Sequence, residues 1–382
     1  MKATGQRLLI AAHDPGGATA LLPVIRTLAT QGLVSLRVIG DGPAASLFAR
    51  AGIEFEHIRG GDGAGELLVV ARQLLDRERP DLVLVGSSET YTIERALTEA
   101  AARAGVPSAG LLDYWSQYVE RFSGEGPGER WRYLPDLVLV MDETARDEMV
   151  ALGVSPGRVA VVGHPHLSTL PRSVAPLPAA ARAAFREALG VPSGGHLLTF
   201  ASETFGWQWD PSYRFQPLSG KTERTVVVLE HLLAALTELV EAHQTPLLVV
   251  NKLHPKNRPE EFAWLDHLVL PFPVLTIADA DNVILVQASD LVVGMTSMFM
   301  LEAACLGTPT VCVVPRAAEE CMLANRYGAR CAIARNPFEL RRLLGQALVG
   351  GGLQSLAVAV DEEDAAEGVA ARLYALLGID RP

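Results

Sequence analysis

Residues 290–314 read DLVVGMTSMFMLEAACLGTPTVCVV, and their order decides the fold. An apolar run ends in Gly294-Met295-Thr296-Ser297, a helical segment carrying Glu302 follows, and Gly307-Thr308-Pro309 turns the chain into a second apolar run. Runs that are apolar at every position, instead of alternating, are strands covered on both faces of a parallel sheet. The hydroxyl-rich turn that opens the helix offers free backbone N–H groups and the positive end of a helix dipole, as a phosphate requires. One turn further in, Glu302 either accepts hydrogen bonds from the two hydroxyls of a ribose or is a solvated helix residue. On the first reading, turn and carboxylate together hold a nucleotide.

The same rhythm extends outward in both directions. LLIAA, SLRVIG, DLVLVG, SAGLLD, DLVLVM and RVAVVG alternate with amphipathic helical segments, giving a Rossmann-like, doubly wound domain over 1–168. A proline-rich stretch and a helix over 169–195 connect it to a second domain, 196–382, whose strands are read as HLLTFASE, TPLLVVNKLHP, FPVLTI, NVILV, DLVVG and TVCVV. The helical tail from about 361 to 377 is long enough to pack back on the first domain. The expected fold is therefore α/β, two Rossmann-like domains facing a central cleft, with the loops at the carboxyl ends of both sheets lining it.

Composition narrows the function. The 382 residues exceed what one core supports, which fits two domains, and no apolar run approaches the roughly 20 residues of a membrane-spanning helix. MKATGQ leads straight into a strand without a signal-peptide pattern, so a cytoplasmic location is expected. A formal charge of −11 argues against a nucleic-acid partner. Cys305, Cys312, Cys321 and Cys331 contain no CxxC pair and are read as reduced core or loop residues, with no metal site expected. A homodimer and a peripheral membrane contact are compatible with the sequence.

Five further strand ends carry residues with chemistry. AAHDPGGATALLPVI leaves His13 and Asp14 at the end of the first strand, with Gly16 and Gly17 letting a ligand approach the backbone; GxGxxG is absent, which argues against NAD. Asp14 is read as a general base, with His13 beside it, or as a simple helix cap. LLVVNKLHPKN presents Lys252, His254 and Lys256, cations suited to a departing phosphate or to a solvated loop. HLLTFASETFGWQWD ends in Ser202 and Glu203 and continues to Trp207 and Trp209, which either stack on a sugar or plug the loop. Asp113, Tyr114, Trp115 and Arg121 follow another first-domain strand where an acceptor would bind, and Ser88 and Glu89 follow a further one. His164 and His166 fall at the domain junction, where a hinge is favoured over a metal site.

With these residues in view, the chain resembles the GT-B superfamily, which includes nucleotide-sugar glycosyltransferases and the UDP-N-acetylglucosamine 2-epimerases. DLVVGMTSMFMLEAACLGTPTVCVVPR looks like the superfamily's donor-binding signature, which implies Gly294, Thr296 and Ser297 at the donor phosphate and Glu302 at the ribose. Lys252-Leu253-His254-Pro255 with Thr296-Ser297 also resembles the paired HP and Ser/Thr motifs of bacterial sialyltransferases, Kdo transferases and capsule polymer transferases, which implies His254 at the leaving phosphate and an acid of the first domain, Asp14, as base. The 2-epimerase pattern departs at two loops. His13-Asp14-Pro15 stands where that family has Arg-Pro-Glu, and Leu112-Asp113-Tyr114-Trp115 where it has His-Glu-Ala-Gly, so that family's catalytic acids do not carry over. The leading expectation is an inverting, metal-independent glycosyltransferase moving a sugar from a nucleotide donor to an acceptor hydroxyl, with no cofactor. A nucleotide-sugar 2-epimerase or hydrolase, and a non-catalytic nucleotide-binding protein, are the alternatives.

Overall fold

The computed structural model describes residues 5–58, 63–206, 208–316, 331–350 and 364–380. The chain divides into two units, Met1–Thr169 with Asp361–Pro382, and Leu170–Val360. The first contains β1 (Arg7–Ala12), α1 (Pro15–Gln31), β2 (Ser35–Asp41), α2 (Gly42–Arg50), β3 (Glu56–Ile58), α3 (Ala64–Glu78), β4 (Leu82–Val85), α4 (Ile93–Ala104), β5 (Ser108–Leu111), α5 (Tyr118–Phe122), β6 (Leu137–Val140), α6 (Glu143–Ala151) and β7 (Val159–Val161). Helix α7 (Pro165–Ser173) runs across the boundary. The second unit contains α8 (Ala179–Leu189), β8 (His196–Ala201), α9 (Arg224–His243), β9 (Leu247–Lys252), β10 (Val274–Ile277), α10 (Asn282–Ala288), β11 (Leu291–Gly294), α11 (Met298–Cys305), β12 (Thr310–Val313), β13 (Ala332–Ala334) and the helix Pro337–Leu348.

Both sheets are parallel and share one topology. The first runs β3-β2-β1-β4-β5-β6-β7 and the second β10-β9-β8-β11-β12-β13. Strand order reverses between β1 and β4 and between β8 and β11, and crevices at such switch points are where doubly wound sheets bind ligands. Strand β1 shows why the apolar runs are continuous: Leu8, Ile10 and Ala12 pack into one buried cluster with residues of α1 and α2, and Leu9 and Ala11 into another with residues of α3 and α4. Alternate side chains leave opposite faces of a strand, so a sheet covered on both faces needs apolar residues throughout. In the second unit, Leu198, Phe200, Val249, Val293 and Val311 pack into one core with the apolar face of α9.

One strand expectation fails. Residues 282–286, NVILV, are helical and begin α10, whose N-cap Asp281 accepts a hydrogen bond from the Ile284 N–H at 3.1 Å. Four consecutive apolar residues, Val283 to Val286, fit a buried strand and a buried helical turn equally, and the capping aspartate settles the choice.

The helix Ala365–Leu376 returns to the first unit and packs on α1. It buries Val369, Ala370, Leu373 and Tyr374 in the same cluster as Leu21 and Val24. The Tyr374 hydroxyl donates to Gln31 Oε1 at 2.7 Å, Gln31 Nε2 donates to the Glu367 carboxylate, and Gln6 Nε2 donates to the Leu377 carbonyl at 2.8 Å. Tyr374→Ala should therefore destabilise the first unit by about 3–5 kcal/mol, and Tyr374→Phe by about 1 kcal/mol through loss of the hydrogen bond alone. Urea unfolding curves measure both, and an alanine variant within 1 kcal/mol of wild type would contradict this packing.

Candidate functional site

The loops following β8, β9 and β11 of the second unit hold one another in place. After β8, the Ser202 hydroxyl donates to the Lys252 carbonyl at 3.0 Å and accepts the His254 N–H at 3.1 Å, so it fixes the turn that carries His254. Glu203 crosses the switch point: its Oε1 accepts the Thr296 N–H at 2.7 Å and the Thr296 hydroxyl at 2.5 Å. Its Oε2 lies 3.8 Å from the Nε of buried Arg224 at the start of α9, its N–H donates to Thr225 Oγ1, and its carbonyl accepts from Asn257 Nδ2. The hydroxyl and N–H of Thr296, expected at a donor phosphate, are thus engaged by the chain's own carboxylate. Ser297 caps α11, its Oγ accepting the Phe299 N–H at 3.3 Å. Gly294 is a packing residue, since a methyl group there would lie 2.8 Å from Met300 Sδ.

His254 and Lys252 present the remaining cationic and donor chemistry. His254 Nδ1 accepts the Lys256 N–H at 3.1 Å, so the neutral ring carries its proton on Nε2 and is a hydrogen-bond donor there. Burial, reinforced by the neighbouring Lys256 and Lys252 charges and opposed by Glu203, holds His254 below its ordinary pKa, in the neutral form at pH 7. Burial also lowers Lys252, against the carboxylates of Glu302 and Asp279. The Lys252 ammonium donates to the Leu253 carbonyl at 3.0 Å and lies 5.9 Å from the Phe299 ring centroid. Lys256 is exposed and Glu302 half-buried on α11. Trp209 plugs its loop: its Nε1 donates to the Phe215 carbonyl and the ring packs on the core. Trp207 lies outside the described residues.

In the first unit the polar residues gather around the end of β1. His13 Nδ1 lies 2.9 Å from Asp41 Oδ2 at the end of β2, and the His13 N–H donates to Glu94 Oε1 at 3.1 Å. Asp14 occupies the N-cap position of α1 without a side-chain cap bond, and its Oδ1 is 3.8 Å from His13 Nε2. Glu94 is buried beneath them, hydrogen-bonded by the Ser88 and Thr92 hydroxyls. Burial pushes its pKa up to about 7, despite the Ser88 and His13 N–H bonds that favour the carboxylate. Gly17 and Gly86 admit it: a methyl on Gly86 would sit 2.5 Å from Glu94 Oε1.

Asp113, Arg121 and Ser87 form a second, buried network. Arg121 donates to Asp113 Oδ1, the Ser87 hydroxyl and the Ser87 carbonyl, each at 2.9 Å. Asp113 Oδ2 lies over the start of α1, where a methyl on Gly16 would be 1.9 Å away. Trp115 is 2% exposed, and its Nε1 donates to Asp142 Oδ2 at 2.6 Å. His164 Nε2 donates to the Asp113 carbonyl at 3.2 Å, and burial holds the His164 pKa down to about 4. Glu89 is exposed, with its carbonyl accepting from Arg95. Among the described residues no group of three or more His, Cys, Asp or Glu is placed to hold a metal ion. Cys305, Cys312 and Cys331 are in no disulfide, and Cys321 lies outside the described residues. No helix among the described residues is long and apolar enough to cross a membrane.

By sequence, no protein-family model and no curated protein matches the chain. By structure, the chain is similar over nearly its whole length to UDP-GlcNAc 2-epimerase from Methanocaldococcus jannaschii, at 17% identity and a TM-score of 0.69, covering 97% of this chain and 99% of that one. It is similar to UDP-GlcNAc 2-epimerase from Neisseria meningitidis bound to UDP-GlcNAc, at 14% identity, TM-score 0.67 and coverage of 98% and 100%. S. aureus MnaA, solved with UDP, gives 15% identity, TM-score 0.70 and 99% of each chain. The chain has the fold of the UDP-GlcNAc 2-epimerases.

That likeness corrects the glycosyltransferase expectation. An epimerase rearranges one nucleotide-sugar, whereas a transferase needs a second subsite for an acceptor. Three side chains expected at an acceptor, Asp113, Trp115 and Arg121, are instead buried and bonded within the first unit. Sequence reading also missed Asp41, Glu94 and Arg224. Asp41 and Glu94 sit at a strand end and a helix start that look like ordinary capping positions, and only the Gly at position 42 after Asp41 hinted at a close approach.

The buried Glu94 sets a measurable stability change with pH. Its folded pKa of about 7 lies above the ordinary value of 4.5, so its contribution is fully present below about pH 4.5 and is lost as pH rises through 7. The difference is about 3 kcal/mol. Glu94→Gln should lack this decline, so its stability relative to wild type should improve by up to that amount between pH 4.5 and 8. Parallel pH dependences for the two proteins would show that Glu94 is not the buried acid described.

Proposed function

We propose that the chain acts on a UDP-N-acetylhexosamine and inverts its C2 centre, as a nucleotide-sugar 2-epimerase. The observation that carries this reading is His254: its Nδ1 is occupied by a backbone N–H, so its neutral ring offers Nε2–H as a fixed donor near Lys252 and Lys256. Likeness of fold to proteins solved with UDP-GlcNAc and with UDP supports the substrate class.

The chemistry follows from the substrate. Inversion at C2 takes the proton from one face and returns it to the other. The C2–H bond is weakly acidic while UDP remains on C1, so its breaking is coupled to loss of UDP. A base accepts the C2 proton, the C1–O bond breaks with its electron pair on the β-phosphate oxygen, and C1=C2 forms. Return of a proton to the opposite face of C2, with the phosphate oxygen re-adding at C1, completes the inversion. Charge accumulates on the β-phosphate as C1–O breaks, where the His254 Nε2–H and the two lysines stabilise it. Glu302 accepts from the ribose hydroxyls in this reading, while Ser202 and Glu203 hold the binding turns.

Incubation with UDP-GlcNAc in D₂O, followed by ¹H NMR, should show deuterium entering C2 and the C2 epimer accumulating. His254→Ala should slow this by about 10²-fold or more. Thermal stabilisation by UDP without exchange would replace the reading with a non-catalytic nucleotide-binding role, and no stabilisation by UDP would remove the nucleotide altogether.

A further inference from the structure

We infer that Glu203 is a specificity-determining residue of the second unit, a role that deepens the UDP reading above and rests on it. Glu203 keeps the turn at Thr296 closed to phosphate and sets a negative charge near His254, so the anion site favours a diphosphate over a ligand with further negative charge. The contact is set by strand register. Strands β8 and β11 are neighbours with Ala201 paired to Gly294, so Glu203 and Thr296 each lie two residues past that pair, abreast at the switch point. A single oxygen, Oε1, accepts the Thr296 N–H at 2.7 Å and its hydroxyl at 2.5 Å. A phosphate oxygen entering there would have to take both donors from a carboxylate that is 7% exposed.

Both partners are confined. Glu203 Oε2 lies 3.8 Å from Nε of buried Arg224, the Glu203 N–H donates to Thr225 Oγ1 at 3.0 Å, and its carbonyl accepts from Asn257 Nδ2 at 3.0 Å. The turn is packed from below: a methyl on Gly294 would lie 2.8 Å from Met300 Sδ and 3.1 Å from Ala201 Cβ. Separating Glu203 from Thr296 breaks buried hydrogen bonds and leaves a buried charge with fewer partners, which is costly.

Phosphate binding therefore falls to side chains, with His254 Nε2–H as the fixed donor and Lys252 and Lys256 as the cations. Glu203 acts on that same place. The Ser202 hydroxyl accepts the His254 N–H, and Asn257 bonds to the Glu203 carbonyl, so the two loops are tied together. The Glu203 charge opposes burial and the lysines at the His254 ring, which shows that its field reaches the group assigned to the phosphate. Repulsion from a fixed anion grows with the charge of the ligand, so a triphosphate is penalised more than a diphosphate.

Titration calorimetry of wild type, Glu203→Gln and Thr296→Val with UDP, UTP and inorganic pyrophosphate tests this role. Glutamine keeps an oxygen for Thr296 and removes the charge. Glu203→Gln should bind UDP and pyrophosphate about 3–10-fold more tightly than wild type, and UTP by a larger factor. Thr296→Val removes a hydroxyl already engaged by Glu203 and should bind UDP within about two-fold of wild type. Binding of UDP weakened about tenfold or more in folded Thr296→Val would put that hydroxyl at the phosphate and overturn the inference. Unchanged or weaker binding by Glu203→Gln would overturn it equally, and if Glu203→Gln does not fold, Thr296→Val decides. Failure of wild type to bind UDP would remove the nucleotide reading instead. Pyrophosphate then decides separately: tighter binding by Glu203→Gln than by wild type upholds the role of Glu203, and equal binding or none overturns it.

Discussion

Parallel strand pairing is the constraint from which the rest of this structure follows. In both sheets every pairing between neighbouring strands is parallel, so all carboxyl ends lie on one edge of each sheet. Both faces are covered, and the strands can carry few polar groups without a burial cost of several kcal/mol each. Polar chemistry is therefore pushed to that edge. His13, Asp41, Ser87, Asp113, Ser202, Glu203, Lys252 and Thr296 all lie at or just beyond strand ends for this reason.

At that edge the chain supplies some of its own anions. Glu203 binds the N–H and hydroxyl of Thr296, Asp113 lies over Gly16, and Glu94 lies between Gly17 and Gly86. Glu203 and Glu94 accept the N–H groups of Thr296 and His13, which their turns would otherwise leave exposed, and Asp113 accepts from Arg121 and Ser87. The consequence is a division of labour. Buried acids hold the turns, and among the groups with unused capacity are two ring nitrogens: Nε2–H of His254 in one unit and the Nε2 lone pair of His13 in the other. Both histidines owe this to what their Nδ1 meets, a backbone N–H in the first case and a carboxylate in the second.

The fold was legible because burial on both faces writes itself into consecutive residues. LLIAA, DLVLVG and DLVVG admit few other readings, and the repeated strand–helix rhythm gave two Rossmann-like domains. NVILV was misread because four apolar residues lack the length to distinguish a strand from a helix, and Asp281 decides between them only through a bond to Ile284. The placement of the candidate loops was legible for the same reason as the fold, since they follow the strands. What each side chain does there was not. Trp115 and Trp209 are aromatic at loop positions whether they face solvent or core, and the partner that orients the His13 ring is Asp41, 28 residues away, brought alongside by the β1–β2 register. Thr296 illustrates the same limit: the turn has the composition of a phosphate site, and a carboxylate 93 residues earlier in the chain occupies its donors.

The most direct test is a crystal structure of the protein with UDP bound. The diphosphate should lie within hydrogen-bonding distance of His254 Nε2 and the ribose hydroxyls on Glu302, with Glu203 still bonded to Thr296. UDP seated away from both His254 and Glu302, or no UDP in crystals grown at saturating concentration, would contradict the account.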